Sequence, residues 1–146
     1  MLHRKTVIAK AGIPLSVGAL NGELGRILAR LMKSCVDQQV TGALVLDSGH
    51  IMAVFEGDAG ALRGLRNMFE LDGRHSNFNM LERTPIAHRE FHTWSVGAQR
   101  RGSEPSRLVK SFQTIVPTAD EVRMHIRHLI SQGVIAESPP LIVAAA

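Results

Sequence analysis

Few residues in this chain have both the type and the spacing that chemistry requires. His125 and His128 stand three positions apart in a stretch with helical periodicity, which would bring both imidazoles to one side of a helix. Two such side chains could contribute to a zinc site. However, no glutamate pairs with them in an HExxH pattern, and no third ligand is evident. We therefore expect no metal site and assign both histidines to the solvated face of a helix.

A second pair, His88 and His92, flanks Glu90 in a segment that reads as a turn. General acid–base catalysis by such groups would need a nucleophile or a paired base beside them. The sequence offers neither, and it contains no glycine-rich phosphate loop, Ser-His-Asp spacing or paired-carboxylate site. We therefore expect that the protein is not an enzyme.

The chain has one cysteine, Cys35. A lone thiol cannot form an internal disulfide or a cysteine zinc cluster. Free cysteines are among the most buried residues of proteins, so we interpret Cys35 as a small apolar core residue. The alternative is a reactive thiol, or one that touches a cofactor.

Composition restricts the class of protein further. The 146 residues are 45% hydrophobic and 21% charged, which is typical of one soluble globular domain. The net charge is +4 and the pI near 10, but the densest basic group, around Arg100, Arg101 and Arg107, also contains Glu104. With no tyrosine and a single tryptophan, the chain lacks aromatic residues for base stacking, and we expect no nucleic-acid binding.

No apolar run approaches the roughly 18 residues that span a bilayer. The first residues, from Met1 to Val7, enter a strand pattern directly and show no secretory signal. We therefore expect a cytoplasmic protein without membrane association.

Hydrophobic periodicity predicts the elements that carry these residues. A first strand covers His3 to Ala9 and is broken at Gly12–Pro14. A helix follows, capped by Ser16 or Asn21. Its apolar face repeats with a period of 3.6 residues and consists of Leu20, Leu24, Ile27, Leu28, Leu31, Met32 and Cys35.

A hairpin comes next. Its strands run from Val40 to Leu46 and from Ile51 to Phe55, around the turn Asp47-Ser48-Gly49. Both strands are apolar throughout, which indicates the middle of a sheet covered on both faces. A second helix over Gly60–Leu71 ends at Gly73, and further strands cover Phe78–Glu82 and Trp94–Ala98. The order β-α-β-β-α-β-β predicts an α+β, ferredoxin-like sheet with two helices on one face.

The character of the sequence changes after Arg101. Residues 102–106 form a linker, and a short amphipathic segment follows around Leu108, Val109 and Phe112. A helix is predicted to begin at Thr118, with acidic residues near its positive end, and to end at Gly133. We therefore expect a domain over residues 1–101 and a C-terminal region over 102–146 that contains the linker, helices and an apolar tail.

Several phrases of the sequence, taken together, resemble the BLUF family of flavin photosensors. They are Val40-Thr41-Gly42-Ala43-Leu44, Gly49, Val54-Phe55-Glu56-Gly57, Arg74-His75-Ser76-Asn77, Thr84–Phe91 and Trp94-Ser95-Val96-Gly97. The resemblance covers roughly residues 1–99 and agrees with the element order predicted above. It implies FAD or FMN held between the two helices, and light-driven rearrangement of a tyrosine–glutamine–flavin hydrogen-bond network.

The residues that perform this photochemistry in the family are missing here. The resemblance places the tyrosine at Val7, the glutamine at Ala53 and the flavin-holding asparagine at Cys35. Because the whole chain contains no tyrosine, a shift in alignment cannot restore the donor. We therefore predict that the usual blue-light photocycle does not occur.

Part of the flavin pocket is retained according to the same resemblance. If a flavin binds, the residues expected beside it are Arg74, His75, Cys35, Leu28 and Ala53. Asp72, Arg89 and Trp94 also match the family pattern. Since two or three polar contacts are lost, we predict that no cofactor is bound, with FAD or FMN as the alternative.

Three functions remain open at this point. The first is a regulatory module that acts through a protein partner or as a homo-oligomer such as a dimer. The second is a sensor of a flavin or another flat ligand, which signals through the C-terminal helices. The third is a small flavin-dependent or acylphosphatase-like enzyme, which the topology permits but does not imply.

Overall fold

The computed structural model describes residues 1–11, 23–71, 75–99, 106–112 and 114–141, with only the backbone described at 10–11, 23–24, 66–71 and 75–78. The helices are α1 (Glu23–Asp37), α2 (Ala59–Leu71), α3 (Arg107–Ser111) and α4 (Ala119–Gln132). The strands are β1 (Leu2–Ala11), β2 (Thr41–Asp47), β3 (His50–Asp58), β4 (His75–Pro85), β5 (Trp94–Ala98) and β6 (Ala136–Glu137). The predicted break at Gly12–Pro14, the caps Ser16 and Asn21, and the stop at Gly73 lie outside the described residues.

The strands form one sheet in the order β4-β1-β3-β2-β5-β6. Neighbouring strands are antiparallel except β2 and β5, which run parallel. This arrangement confirms the predicted α+β, ferredoxin-like class. The hairpin of β2 and β3 lies at the centre of the sheet, as its continuous apolar runs predicted, and every residue of β2 is buried.

The turn between β2 and β3 has two residues. Ser48 and Gly49 both have positive φ, 50° and 86°. Two successive residues with positive φ are the requirement of a type I′ turn, whose twist matches that of the flanking strands. This turn sets the register in which Asp47 faces His50 and Leu44 faces Ala53.

Helices cover both faces of the sheet. On the face that we call inner, leucines of α1 and α2 pack on side chains of β1, β2, β3 and β5. On the opposite, outer face, α3 and α4 pack on the alternate residues of β1, β2 and β3. Successive strand residues point to opposite faces, so the apolar runs of β2 and β3 supply both cores.

Helix α4 begins and ends where the sequence predicted. Thr118 is the N-cap and forms a capping box with Glu121, and Gly133 is the C-cap. The box satisfies backbone N–H groups of the first turn, which have no partner within the helix. Ser106, predicted as the end of the linker, is the N-cap of α3.

Strand β6 is an element that the sequence analysis did not predict. It pairs antiparallel with β5, and the backbone N–H of Ile135 and Ser138 donate to carbonyls of Val96 and Trp94. A strand of two residues is too short for a recognisable alternation of polar and apolar side chains. The short segment between α4 and the predicted apolar tail thus forms the edge of the sheet, and residues 142–146 of the tail lie outside the described range.

Candidate functional site

The first candidate site lies on the inner face of the sheet, where Val7 and Ala53 meet. These residues are directly paired across the antiparallel strands β1 and β3. Their exposed fractions are 3% and 0%, and both belong to the apolar cluster that includes leucines of α1 and α2. Two of the positions that the sequence analysis singled out are therefore neighbours beneath the helices.

Cys35, in the last turns of α1, belongs to the same cluster and is completely buried. Burial disfavours the thiolate and raises the pKa of Cys35 to about 12. The thiolate is the nucleophilic form of cysteine, so this thiol is protected from reaction at neutral pH. The geometry favours the interpretation of Cys35 as a small core residue.

The residues expected beside a cofactor are only partly described. Leu28, Cys35 and Ala53 share the inner cluster. His75 begins β4 and pairs with Ala11, but only its backbone is described. Arg74 and Asp72 lie outside the described residues. The structure therefore brings Leu28, Cys35 and Ala53 together in one apolar cluster. It does not test the expected positions of the two polar side chains, Arg74 and His75.

Trp94 contributes the largest side chain of this face. It is fully buried, and its ring stacks on Phe55 with centroids 5.1 Å apart and an interplanar angle of 15°. Among the described residues its indole Nε1–H has no hydrogen-bond acceptor. A buried donor without a partner costs about 1–3 kcal/mol, so this N–H would gain from a ligand or water that accepts a hydrogen bond.

Arg89, another residue of the family pattern, connects the ends of two strands. Its Nη1 donates to Thr41 Oγ1 at 2.8 Å and to the carbonyl of Glu56 at 2.7 Å, and its Nη2 donates to the carbonyl of Gln39 at 2.9 Å. Burial lowers the pKa of Arg89. The guanidinium holds the segment before β5 against the central hairpin and therefore has a structural role.

The second candidate site lies on the outer face and begins with Glu56, at the end of β3. This side chain is fully buried, and its Oε1 accepts the backbone N–H groups of Glu90 and Phe91, both at 2.8 Å. Its Oε2 has no hydrogen bond among the described residues and lies 3.8 Å from Arg4 Nη1. Burial raises the pKa of Glu56, although these N–H groups and Arg4 act in the opposite direction.

Glu56 is part of a larger ionic network that reaches α4. Arg4 pairs with Glu82 at 2.9 Å and with Glu90 at 3.3 Å. From α4, Arg123 pairs with Glu82 and approaches Glu90 to 3.7 Å, and Arg127 pairs with Glu90. These contacts connect β1, β4 and the segment before β5 to the C-terminal helix.

A second polar contact joins α4 to the far end of the hairpin. His125 Nε2 lies 2.7 Å from Oδ2 of the fully buried Asp47. The expectation of a solvated histidine was wrong for His125, whose side chain is only 11% exposed. His128 is exposed as expected. The two rings have different environments, and no group of three or more potential metal ligands occurs in the part of the chain that the structure describes.

Sequence reasoning missed the network on the outer face. Two sequence patterns could have indicated a polar site on this face. Strand alternation places Arg4 and Thr6 on the same face of β1. Arg123 and Arg127 stand four positions apart, which places them on one side of α4. What the sequence could not supply was the pairing of β1 with β4, which brings Thr6 opposite Glu82. Contacts between residues so distant in sequence depend on strand order.

Comparison with known proteins gives one match to a family. A family model for BLUF, described as sensors of blue-light using FAD, matches residues 15–97, more than half of the chain. No curated protein matches the chain.

Several solved structures have the same fold. BlrB, a BLUF protein in its dark state, matches with a TM-score of 0.60 and 19% identity over 89% of this chain and 96% of its own. BlrP1 of Klebsiella pneumoniae matches with a TM-score of 0.61 and 19% identity over 91% of this chain and 35% of its own. A bacterial light-regulated adenylyl cyclase matches with a TM-score of 0.59 and 19% identity over 90% of this chain. The chain spans only 36% of the length of that cyclase.

Proposed function

The chain belongs to the BLUF family, and from that premise we propose that it is a sensory or regulatory module that acts through protein–protein contacts without the blue-light photocycle. The observation that carries the proposal is the buried pair of Val7 and Ala53, directly opposite each other under α1 and α2. The family resemblance assigns these positions to the photochemical tyrosine and glutamine.

The chemistry of the family requires side chains that this face does not present. The tyrosine supplies an electron and a proton, and the glutamine amide must offer both a donor and an acceptor. Val7 and Ala53 carry only alkyl groups, and Cys35 is a buried neutral thiol. The described residues therefore do not fit the flavin contacts of the family.

The same changes weaken the expected affinity for a flavin. Two or three missing polar contacts, each worth about 0.5–1.5 kcal/mol, correspond to a loss of about 1–4.5 kcal/mol. At 1.4 kcal/mol per factor of ten, binding would be about five-fold to a thousand-fold weaker. This estimate supports a protein that is isolated without a cofactor.

The proposal assigns different tasks to the two parts of the chain. Residues 1–101 form the BLUF-type domain, and 102–146 form an output region that contains α3, α4 and β6. Packing of α4 on the outer face supports this division, because a change in the sheet would reach the helix directly. The neighbour that is a light-regulated adenylyl cyclase offers an analogy for such coupling to an effector.

Several of the sequence expectations remain predictions under this proposal. They are the absence of enzymatic activity, the cytoplasmic location, the lack of nucleic-acid binding, and a protein partner or homo-oligomer such as a dimer. The structure adds one finding to the question of membranes. In the ranges that it describes, no helix is both long and apolar enough to cross a bilayer.

The proposal is tested by absorption spectroscopy of the freshly purified full chain, in the dark and after blue light. We expect a colourless protein that stays colourless after incubation with excess FAD or FMN followed by desalting. A stoichiometric flavin band that shifts to the red on illumination would contradict the proposal, because another residue would then carry the switch.

A sensor of a flat ligand is the second candidate, and the unpartnered indole N–H of Trp94 favours it. A ring with a carbonyl edge could accept that hydrogen bond within the apolar surroundings of Phe55 and Ala53. A flavin band that does not shift with light would support this candidate. Trp94→Phe should then weaken flavin retention, and Arg74→Ala with His75→Ala should abolish it.

A further inference from the structure

The outer face of the sheet is apolar in its centre and acidic at its borders. The centre consists of buried side chains from β2 and β3, namely Ala43, Val45, Met52 and Val54. Asp47 is the last residue of β2 and lies next to the hairpin turn. Glu56 lies near the end of β3 that is far from this turn. Strand alternation places both side chains on the outer face. Glu82 and Glu90 extend the acidic border beyond Glu56 through their shared contacts with Arg4.

Helix α4 has the complementary pattern. Val122, Ile126 and Leu129 follow the i, i+4, i+7 spacing of one helix face and pack on the apolar centre. The basic residues beside this stripe meet the acidic border. Arg123 and Arg127 contact Glu82 and Glu90, and His125 contacts Asp47. In each of these ionic contacts the helix supplies the base and the sheet side supplies the acid.

The caps of α4 are formed within the helix itself, whereas strand β6, which follows the helix, is paired with β5. Thr118 and Glu121 satisfy the N-terminus through their capping box, and the N–H of Gly133 donates to the carbonyl of Ile130. Ahead of the helix, Ile115 and Val116 stand 63% and 72% exposed, so side-chain burial anchors the segment leading into α4 only at the buried Pro117. The helix can therefore leave the sheet without losing its caps.

The fit between α4 and the acidic border is also incomplete. Glu56 is fully buried on this face, and its Oε2 has the ion pair with Arg4 at 3.8 Å but accepts no hydrogen bond among the described residues. A buried carboxylate is stabilised when a cation and hydrogen-bond donors pair with it. A different helix with a longer or better placed basic side chain would satisfy this oxygen.

We propose that the outer face of the sheet is a binding surface for a basic amphipathic helix of a partner protein, and that α4 occupies this surface in the isolated chain. The proposal rests on the proposed function, since it names the class of partner that a protein-contact module would engage. Charge complementarity decides the occupant, because an acidic border around an apolar centre favours arginine or lysine beside an apolar stripe. Binding of the partner requires α4 to be displaced.

The test uses the full-chain variant Arg123→Glu with Arg127→Glu. In this variant the reversed charges of α4 are repelled by the acidic border of the outer face. The probe is a fluorescent peptide of residues 118–133, which represents the basic amphipathic helix. Binding is measured by fluorescence anisotropy at low ionic strength. The matched control is Arg26→Glu with Arg30→Glu on α1, which changes the net charge by the same amount away from the outer face.

We expect the α4 variant to bind the peptide at least ten-fold more tightly than the wild type and the control. Binding should weaken at high salt and be lost with a peptide that carries glutamate at both arginine positions. The proposal is overturned if the folded variant does not bind, or if the charge-reversed peptide binds equally well. It is also overturned if the wild type is a dimer in which a second copy contributes α4.

Hydrogen exchange on the wild type provides a measurement that does not need the variant to fold. We expect amides of α4 to exchange through a local opening, faster than amides of β2 and β3. Exchange of α4 only together with global unfolding would overturn the proposal. Neither experiment involves flavin or light, so their failure is distinguishable from a failure of the proposed function, which the absorption spectrum decides.

Discussion

Val7 and Ala53 are directly opposite each other on β1 and β3, and both are buried on the inner face. Directly paired residues of neighbouring antiparallel strands have Cβ atoms about 4.5–5.5 Å apart. Under the proposed correspondence of these positions with the family's tyrosine and glutamine, both differences from the family act at one spot beneath the helices. Ala53 is completely buried, so the surrounding side chains have closed around it.

Introducing a polar residue at position 53 should destabilise the fold. We expect Ala53→Gln to lower the free energy of unfolding by about 1–3 kcal/mol, because the added amide overpacks a closed core and lacks assured partners. The measurement is urea denaturation, with Ala29→Gln on the exposed side of α1 as the control. An unchanged stability for Ala53→Gln would reveal an open space at this position and would support ligand binding.

The thiol of Cys35 should be inert in the folded protein. Burial raises its pKa to about 12, and the side chain has no exposed surface. We expect its reaction with a thiol reagent at pH 8 to be at least a hundred-fold slower in buffer than in urea. The control is Val36→Cys in a Cys35→Ser background, because Val36 is 47% exposed and should react rapidly. Fast labelling of Cys35 would mean that α1 separates from the sheet under native conditions.

Asp47 should make stability depend on pH in the acid range. Burial by itself would raise the pKa of Asp47, but hydrogen bonds from His125, Ser106 and Ser48 outweigh it and hold this pKa below its ordinary value. A carboxyl group with a lowered pKa stabilises the fold above its unfolded pKa of about 3.9, and this contribution is lost as the pH falls through the folded pKa.

The corresponding variant is Asp47→Asn. We expect it to lower the free energy of unfolding by about 1–3 kcal/mol at pH 7, because the charge-assisted hydrogen bonds are lost. The difference from wild type should shrink as the pH falls below about 4. Urea denaturation at several pH values measures this, with Asp37→Asn at the exposed end of α1 as the control. A difference that is constant with pH would contradict the assignment.

Gly42 should tolerate no side chain. Its φ is +144°, and a Cβ built at this position would lie 1.9 Å from the carbonyl oxygen of Val54. We expect Gly42→Ala to lower the free energy of unfolding by about 3 kcal/mol or more, since the backbone of β2 or β3 must move. Chemical denaturation provides the measurement.

Gly64 offers the matched control for this substitution. It lies within α2, where the nearest atom to an added Cβ is Gln38 Oε1 at 3.9 Å. Gly64→Ala should raise stability by about 0.5–1 kcal/mol, because alanine loses less conformational entropy than glycine in a helix. Equal effects of the two alanine substitutions would contradict the close approach at Gly42.

Much of the fold could be predicted because local patterns and tertiary packing agree. The apolar runs of β2 and β3 indicated a hairpin buried on both faces, and the turn at Ser48 and Gly49 has the positive φ values that such hairpins need. The capping residues Thr118 and Gly133 marked both ends of α4. Each of these signals acts within a few residues of the chain, where sequence alone decides the conformation.

The outer network could not be predicted in the same way. Glu56 is a charged residue at the end of an apolar strand, and its partners Arg4, Glu90 and Phe91 are distant in the sequence. His125 was expected in solvent but contacts Asp47. Burial of these groups depends on where α4 crosses the sheet, and helix periodicity does not specify the crossing.

The sequence by itself determined which chemistry is missing. A chain without tyrosine cannot use a tyrosine as electron donor, whatever its fold, because the functional group is covalently absent. Only the tertiary structure decided which residues meet beneath the helices of the inner face and what holds the C-terminal helix. Val7 meets Ala53 through strand pairing, and Arg123 meets Glu82 through the packing of α4 on the sheet. Both contacts join residues far apart in the chain, and long-range contacts arise only when the whole core assembles.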